Sequence, residues 1–389
     1  MRSKWERKKL CEIADFNPRE SLSKGAIAKK ISMDKLQPFC RDIPSYEFEA
    51  FSGGTKFRNG DTIMARITPC LENGKTAKVS VLDDNEVGFG STEYIVFRAK
   101  EGMDEDFLYY LVCSSIIREP AIKSMVGSSG RQRVQMDVVQ NLEIQVPPIK
   151  EQRITGKFLR NLDDKIQFNN KINKNLEQQA QTIFEEEFLS LDFIPSTWKK
   201  SSLLEIATYL NGLAMQKFRP SKKEKGLPVL KIKELRQGMC DSNSDLCSPT
   251  IKSEYIIHNG DVIFSWSGSL LVDFWCGGIC GLNQHLFKVS SMKYDKWFYY
   301  SWTNYHLQKF IAIAAYKATT MGHIKREDLS KASVLIPSHE DYIRIGGLLK
   351  PIYNLIIENR LENIRLTSLR DTLLPKLISG EIDVSNIDL

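Results

Sequence analysis

The 389-residue sequence lacks the features by which several classes of protein are recognised. Its apolar stretches fall short of the roughly 20 residues that a membrane-spanning helix needs. Five basic residues occur within the first ten positions, but no apolar run follows them, so we expect no signal peptide. A membrane protein is therefore not expected, and a cytoplasmic location is.

Motifs for nucleotides, metals and catalysis are also missing. No segment has the Gly-x4-Gly-Lys-Ser/Thr spacing of an ATP-binding loop, and Gly88-Phe89-Gly90 lacks the third glycine and the helix of a dinucleotide loop. The eight cysteines are scattered, and the closest pair, Cys276 and Cys280, has no accompanying C-x-x-C motif. Zinc sites need four ligands at short, paired spacings. We therefore expect reduced thiols, no metal, no cofactor in this chain and no catalytic residues.

The composition is that of a globular protein with a mild excess of positive charge. Hydrophobic residues make up 42% and charged residues 26% of the chain, and the net charge is +6. A charge of this size permits a nucleic acid partner without requiring one, because a solvated surface often carries as much. The chain is too long for one ordinary domain, so two or more are expected.

An internal repeat organises the sequence. Three motifs return in the same order after about 190 to 200 residues, which a search for repeats treats as one duplication. They are Trp5-x4-Leu10-x-Glu12-Ile13-Ala14 with Trp198-x4-Leu203-x-Glu205-Ile206-Ala207, Asn59-Gly60-Asp61-x-Ile63 with Asn259-Gly260-Asp261-x-Ile263, and Phe107-x-Tyr109-Tyr110 with Trp297-x-Tyr299-Tyr300. The chain therefore consists of two related halves.

Each half begins with a segment rich in glycine, aromatic and β-branched residues. Short strands separated by Asn-Gly and Gly-Gly turns are predicted, among them Thr62–Ala65, Tyr94–Phe97, Val262–Phe264 and Leu286–Val289. Aromatic-rich helices are predicted near Asp106–Ile117 and Lys296–Ile313. The fold class is thus α/β (α+β), with two similar mixed α/β domains whose strand order the sequence does not give.

A heptad pattern follows each of these segments. Apolar residues recur in alternating steps of three and four, as in a coiled coil, and each run is interrupted by two asparagines. The first seam is Leu159, Leu162, Ile166, Asn169, Asn173, Leu176, Ala180 and Ile183, and the second is Leu349, Ile352, Ile356, Asn359, Asn363, Leu366, Arg370 and Leu373. Ordinary core packing explains one such stripe, but two with matched asparagines favour pairing with each other, because Asn in a seam is satisfied only opposite a polar group.

Antiparallel pairing of these helices predicts a chain with an approximate internal twofold axis. A helix of about 30 residues is roughly 45 Å long, somewhat more than the 34–36 Å of one turn of B-DNA. The expected domains are a first globular domain at 1–147, a first long helix at 148–189, a second globular domain at 190–337, and a second long helix with a tail at 338–389. Two globular domains at opposite ends of such a helix pair suit a DNA target made of two half-sites, separated by a spacer that is not read.

Several motifs resemble those of Type I restriction–modification specificity subunits. The resemblance covers the whole chain, in the family's order of recognition domain, helix, recognition domain, helix. Its motifs are the two Trp-x4-Leu-x-Glu-Ile-Ala openings, Asn59–Arg66, Leu71–Lys75, Gly130–Val134, Pro147-Pro148-x-x-Glu151-Gln152, Gly281–His285 and Leu373–Gly380. Singly these motifs are weak to moderate, and their specificity comes from their sum and order.

The resemblance implies a subunit without catalytic activity. Such a chain binds double-stranded DNA and docks two methyltransferase (M) subunits, and further restriction/motor (R) subunits complete the complex. S-adenosylmethionine, ATP and Mg are then expected on the partner subunits. In agreement, the chain has no Asn/Asp-Pro-Pro-aromatic motif for adenine methylation.

Residues that contact DNA are expected on polar loops flanked by glycine, where the backbone can approach the duplex. In the first domain we predict Arg66, Thr68, Asn73, Lys75, Ser128, Ser129, Arg131, Gln132 and Arg133. In the second domain we predict Ser265, Trp266, Ser267, Lys317, Thr319, Thr320 and His323. A solvated surface charge is the ordinary alternative for any single arginine, and a core position is the ordinary one for Trp266. The basic run from Lys217 to Lys225 fits a phosphate contact and a solvated loop equally well.

Three other functions remain open at this stage. The first is an enzyme-fused DNA-binding protein, although no segment is left for a catalytic domain. The second is a coiled-coil scaffold that carries two protein-binding modules. The third is a transcription factor, for which no helix-turn-helix pattern is visible.

Overall fold

The structure is a computed structural model that describes residues 5–316 and 323–387. The chain forms two compact units, one made of the residues up to Gln167 together with those from Arg365 onward, and the other of Phe168–Ile364. Both long helices are therefore shared between the units. The compact units thus divide within the helices and not at the ends of the predicted globular domains.

Between residue 5 and the first long helix, the first unit contains ten short strands and four short helices. The strands are β1 (Glu6–Lys9), β2 (Ala14–Phe16), β3 (Ile27–Ile31), β4 (Glu47–Ala50), β5 (Thr55–Phe57), β6 (Thr62–Ala65), β7 (Thr76–Lys78), β8 (Gly88–Gly90), β9 (Tyr94–Ala99) and β10 (Glu143–Val146). The helices are α1 (Leu10–Ile13), α2 (Glu105–Cys113), α3 (Ser115–Lys123), α4 (Met136–Gln140) and the long α5 (Ile149–Phe184).

Among its described residues the second unit repeats this succession, with one additional short helix between its third and fourth strands. Its strands are β11 (Lys199–Ser202), β12 (Thr208–Asn211), β13 (Leu227–Leu230), β14 (Leu246–Cys247), β15 (Ile256–Ile257), β16 (Val262–Ser265), β17 (Leu271–Phe274), β18 (Cys280–Leu282), β19 (Leu286–Ser290) and β20 (Ser333–Ile336). Its helices are α6 (Leu203–Ile206), α7 (Ile232–Gln237), α8 (Lys296–Tyr305), α9 (Leu307–Tyr316), α10 (Arg326–Ser330) and the long α11 (His339–Ile378). A π-helical turn, Glu185–Leu189, ends the first long helix.

The sheets of the two units have the same strand order. The first unit has the sheets β2-β9-β6-β7 and β4-β3-β8-β5, and the second has β12-β19-β16-β17 and β14-β13-β18-β15. Each unit adds an antiparallel ribbon, β1 with β10 or β11 with β20. The duplication read from sequence motifs is therefore a duplication of topology, with one parallel strand pair in each copy, β3 with β8 and β13 with β18.

The recurring Asn-Gly-Asp motif makes the same turn before β6 and β16. Gly60 and Gly260 have φ angles of 91° and 83°, which residues with a Cβ rarely adopt. The Asp61 carboxylate accepts a hydrogen bond from the Arg58 amide at 2.8 Å, and Asp261 accepts one from His258 at 2.9 Å. The motif therefore sets the register with which the central strand enters its sheet.

The strands predicted at Thr62–Ala65, Tyr94–Phe97, Val262–Phe264 and Leu286–Val289 are present. The two aromatic-rich helices are each split in two. The chain turns extended at Ser114, between α2 and α3, and His306 separates α8 from α9. Apolar residues continue on both sides of each break, so the sequence pattern does not reveal it.

Each of the two units has its own hydrophobic core. In the first unit the face of α2 is buried with Leu159 of α5 and with Leu377 and Ile378 at the end of α11. In the second unit Trp297, Phe298 and Trp302 of α8 pack with Phe184 and Phe188, which follow the seam of α5. Each long helix is thus part of a domain core as well as of a helix pair.

The long helices run antiparallel where they meet inside the second unit. The Asn169 amide donates to the Asn363 oxygen at 2.9 Å, and Asn359 donates to the Asn173 oxygen at 2.8 Å. A step of four residues towards the C-terminus of α5 therefore corresponds to a step of four residues towards the N-terminus of α11. Of the second-unit seam, Leu349 and Ile356 are buried, and Leu176, Ile183 and Ile352 pack against them.

In the first unit an ion pair takes the place of these amides. Arg370 of α11 contacts Asp163 of α5 at 2.6 Å, and both side chains are largely buried. The Tyr110 hydroxyl donates a hydrogen bond to the other oxygen of Asp163 at 2.6 Å. Of the first-unit seam, Leu159 is buried in the core and Leu373 packs against it, while Leu162, Ile166 and Leu366 are half-buried.

Candidate nucleic-acid interface

Two of the predicted DNA-contacting loops of the first unit lie side by side. Ile67 and Arg133 form an antiparallel bridge, and the Thr68 amide donates to the Gln132 carbonyl at 3.0 Å. The Val134 amide donates to the Arg66 carbonyl at 2.9 Å. The segment after β6 and the segment before α4 therefore form one surface, although 65 positions separate them in the sequence.

A bidentate ion pair dominates this surface. The Arg133 guanidinium contacts both oxygens of Glu93 at 2.6–3.0 Å. These hydrogen bonds hold the pKa of the Glu93 carboxyl below its usual value. Arg66 is half-buried beside them and donates to the Val134 carbonyl at 3.3 Å. Fixed guanidinium groups of this kind can present their remaining N–H groups to phosphate or to a guanine edge.

The serine-rich loop next to it is fully exposed. Ser128, Ser129 and Arg131 lie in a turn closed by a hydrogen bond from the Arg131 amide to the Ser128 carbonyl at 2.9 Å. The turn depends on Gly130, whose φ is 76°. The exposed hydroxyls and guanidinium suit contacts with the DNA backbone.

The third predicted group of the first unit has mixed accessibility. Asn73 is exposed in a turn whose backbone is closed by a bond from its amide to the Pro69 carbonyl at 2.9 Å. Lys75 is half-buried, and its ammonium donates to the Met33 carbonyl at 2.8 Å. Asn73 is thus free to meet a ligand, whereas Lys75 is engaged in holding the turn.

In the second unit, the predicted residues after β16 have different roles. Ser265 is fully buried, and its hydroxyl donates to the Ser267 and Ser269 carbonyls at 3.2 and 2.9 Å. A DNA contact by the Ser265 side chain does not fit this burial, because its hydroxyl closes the loop from inside. Ser267 is also buried, with its hydroxyl 3.1 Å from Nδ1 of His285.

Trp266 lies half-buried at the rim of this loop. Its indole nitrogen donates to Asn211 at 3.0 Å, and its ring is 6.2 Å from that of His285 and 6.1 Å from that of His323. His323 is exposed and bridges to Ser267 through the backbone. Trp266 and His323 thus belong to one surface. Lys317, Thr319 and Thr320 lie outside the described residues.

A cleft opens beside this surface in the second unit. Its volume is about 940 Å³, and Ser267, Gly268, Gln284 and His285 line one side of it. Arg219, Lys231 and Lys233 are among the other lining residues. Part of the basic run that the sequence left undecided therefore lies next to the predicted loops.

Sequence reasoning missed a third loop in each unit. This loop follows the second strand of the parallel pair, which is β8 in the first unit and β18 in the second. Ser91–Glu93 connects β8 to β9, and Asn283–His285 connects β18 to β19. In each unit this loop contacts one of the predicted loops, through Glu93 with Arg133 in the first unit and through His285 with Ser267 in the second. The motif Gly281–His285 was visible in the sequence, but only the strand register places it at the surface.

The structure offers no metal centre among residues 5–316 and 323–387. No group of three or more His, Cys, Asp or Glu side chains in this part of the chain could hold an ion. None of the helices described there is long and apolar enough to cross a membrane.

Comparison with known proteins assigns the chain to a family. The family model for the Type I restriction modification DNA specificity domain matches twice, at residues 2–178 and 195–366. The Type I restriction enzyme MjaIX specificity subunit of Methanocaldococcus jannaschii is 26% identical over 311 residues, 74% of this chain and 71% of that protein. The EcoAI specificity subunit of Escherichia coli is 34% identical over 163 residues, 40% of this chain and 27% of that protein.

A solved structure shares the fold. The Type I restriction–modification S subunit from M. genitalium superposes with a TM-score of 0.59 at 15% identity, covering 96% of both chains. At this identity the likeness concerns the fold alone. The two matches of the family model span most of the sequence, one in each half of the duplication. The chain therefore belongs to the Type I restriction–modification DNA specificity domain family.

Proposed function

We propose that this chain is the DNA-reading subunit of a Type I restriction–modification complex and recognises an asymmetric target in two parts. The domains at 1–147 and 190–337 each read one half-site. The paired long helices set the spacing between the half-sites and dock the methyltransferase subunits. The chain carries out no chemistry itself.

One observation carries the proposal: equivalent positions in the two domains carry different recognition chemistry. Ala65 pairs with Tyr94 in the first unit, and Ser265 pairs with Leu286 in the second. The residues that follow Ala65 and Ser265 are therefore counterparts, and so are those that precede Tyr94 and Leu286. Arg66 corresponds to Trp266, Glu93 to His285, and Arg133 to His323 through the matching bridges. One frame with two sets of reading side chains is what an asymmetric bipartite target requires.

Phosphate contacts supply affinity in this proposal, and side chains at the loop tips supply specificity. In the first domain these are Arg66, Thr68, Asn73, Ser128, Ser129, Arg131, Gln132 and Arg133. In the second they are Trp266, Lys317, Thr319, Thr320 and His323, while the buried Ser267 contributes by holding His285. Lys75 and Ser265 support their loops from behind. The basic side chains of the cleft in the second unit extend the surface towards the DNA backbone.

The proposed partners rest on the family to which the chain belongs. Two methyltransferase subunits bind along the helices and supply S-adenosylmethionine chemistry. Restriction subunits with ATP and Mg complete the assembly. The coiled-coil seam, from Leu159 to Ile183 and from Leu349 to Leu373, keeps both helices in one register so that these surfaces stay aligned.

Selection of duplexes from a randomised DNA library tests this proposal. The full chain assembled with its methyltransferase subunits is expected to enrich two short elements separated by a fixed number of unread base pairs. Binding should weaken steeply with salt, as phosphate contacts require. Enrichment of no sequence at all would leave a protein scaffold as the better description. Methyl transfer by the chain without added subunits would instead show it to be an enzyme.

A further inference from the structure

The loop Asn283–His285 presents a side-chain amide in a geometry that suits the reading of a base. It joins β18 to β19 and lies at the edge of the 940 Å³ cleft, next to the predicted loop at Ser267. Gln284 is half-exposed at its tip, and although it lies within the motif Gly281–His285, it is not among the DNA contacts predicted from the sequence.

The backbone of this loop is held from several sides. The Asn283 amide donates to the Leu230 carbonyl at 3.2 Å, and Leu286 donates to the Asn283 carbonyl at 3.0 Å. Leu213 bridges to Asn283, and Gly212 approaches so closely that a Cβ there would lie 2.2 Å from the Asn283 carbonyl oxygen. A rigid frame of this kind lowers the cost of presenting a side chain to a ligand.

Side chains orient the tip as well. His285 is fixed on one ring nitrogen by Ser267 at 3.1 Å, and its backbone amide donates to the Asn283 side chain at 3.2 Å. The other ring nitrogen of His285 lies 3.3 Å from the Gln284 amide nitrogen. The amide nitrogen carries two N–H donors, so one can contact His285 while the other remains available to a ligand. The Gln284 amide oxygen has no hydrogen-bond partner among the described residues.

We infer that Gln284 is a base-reading residue of the second domain and that it recognises adenine through the major groove. A carboxamide offers one donor and one acceptor side by side, which matches N7 and the N6 amino group of adenine. His285 acts as a positioning residue that holds the amide in its plane. Lys231 and Lys233 also line the cleft, and each is in an ion pair, with Asp245 and with Asp241 respectively. This inference rests on the proposed function and names one contact within it.

The counterpart in the first domain provides a matched control. Thr92 precedes Glu93 as Gln284 precedes His285, and it is exposed at the tip of the Ser91–Glu93 loop. A threonine lacks the paired donor and acceptor of an amide. Because Thr92 lies in the first domain, its substitution is expected to leave the reading of the second half-site unchanged.

Selection from a randomised duplex library, with the full chain assembled with its methyltransferase subunits, tests the inference. The wild type should prefer adenine at one position of the second half-site. Gln284→Ala should reduce discrimination at that position by about 10- to 100-fold, with every other position unchanged. Gln284→Glu should shift the preference there towards cytosine, whose amino group a carboxylate accepts. Thr92→Ala should leave that position as it is.

The outcomes separate this inference from the proposed function. An unchanged first half-site in the Gln284 variants shows that the complex is folded and bound. A bipartite wild-type target that is the same in both Gln284 variants would overturn the role of Gln284 and leave the proposed function standing. A uniform loss of affinity at all positions would also overturn it, because it would make Gln284 a backbone contact. A wild type that selects no bipartite target would overturn both.

Discussion

The two reading surfaces share a frame and differ in chemistry. In the first unit the ion pair of Glu93 with Arg133 joins the loop after β8 to the segment before α4. In the second unit the contact of Ser267 with His285 joins the loop after β16 to the loop after β18, and Trp266 and His323 lie beside it. The strand order and register are the same in both. The two units therefore differ in a few side chains at strand ends, and the proposed function makes these side chains the source of specificity.

The contacts between the two long helices also differ between the units. Inside the second unit the seam is interrupted by neutral amide pairs, whereas inside the first it is interrupted by the buried contact of Arg370 with Asp163. A shift in the register of the helices would separate the partners in both arrangements. Breaking the ion pair, however, leaves a buried charge without its counter-charge. We therefore expect the two to respond differently to substitution.

The largest effect is expected from Arg370→Ala in the first unit. Removing the guanidinium leaves the Asp163 carboxylate buried without its counter-charge, which costs about 3–5 kcal/mol. The free energy of unfolding from denaturant titration, followed by hydrogen exchange in α2 and the start of α5, measures it. Arg365→Ala, at an exposed position on the same helix, is the control and should change little. Equal losses in both variants would show that the ion pair is not what holds this segment.

A smaller effect is expected from Asn173→Leu in the second unit. The substitution leaves the buried Asn359 amide without its partner and should cost about 2–3 kcal/mol. The double variant Asn173→Leu with Asn359→Leu should recover most of the loss, because two apolar groups can pack where the amides paired. A double-mutant cycle in the free energy of unfolding measures the coupling. Additive losses would contradict the pairing.

At the first reading surface, Arg133→Ala should act on one half-site alone. The change removes a guanidinium and leaves Glu93 facing the DNA, for an expected loss of about 1–2 kcal/mol in specific binding. Competition binding with duplexes altered in one half-site at a time measures where the loss falls. The second half-site should keep its full preference. Equal weakening towards both altered duplexes would mean that the two surfaces are not independent.

The smallest expected effect is a pH dependence of stability. It should occur in the second unit, because the histidines of the chain lie there. All five histidines of the chain lie between His258 and His339, in the second unit. Burial lowers the pKa of His306 below its ordinary value of 6.5, and its ring contacts the Ser333 carbonyl at 2.8 Å. The unfolded chain therefore binds this proton more readily than the folded one. The stability contributed by His306 is complete above about pH 6.5 and is lost as the pH falls through the folded pKa.

Hydrogen exchange in α8 and α9 as the pH is lowered from 7.5 to about 5.5 measures this loss, after correction for the intrinsic exchange rate. His306→Gln should reduce the pH dependence in those helices, since glutamine does not titrate. Amides of α2 and α3 in the first unit should show no matching change. An identical response in both units would show that His306 is not its source.

Much of the fold was predictable from the sequence because it depends on patterns that survive in short segments. The repeat, the strands around the Asn-Gly-Asp turns and the mixed α/β class follow from motifs and period-two alternation. The breaks at Ser114 and His306 were not visible, because an amphipathic pattern continues across them. The strand order was also beyond reach, since it depends on which distant strands pair, and no local signal specifies that.

The candidate site was predictable in part. Glycine-flanked polar loops identified Arg133 and Trp266, whose segments the structure places next to the others of their unit. The sequence could not show that Ser265 points inward or that Lys75 is tied to the Met33 carbonyl, because both depend on contacts with distant backbone. The loop at Gln284 was missed for the same reason: only the pairing of β18 with β13 and the contacts of Gly212 bring it to the cleft.

Sequencing of methylated bases in DNA exposed to the full chain with its methyltransferase subunits tests the central claim most directly. Two domains with one topology and different reading side chains predict one asymmetric motif, made of two unlike elements separated by a constant spacer. A palindromic motif would contradict the assignment of different half-sites to the two domains. A single uninterrupted motif would contradict the division of reading between them.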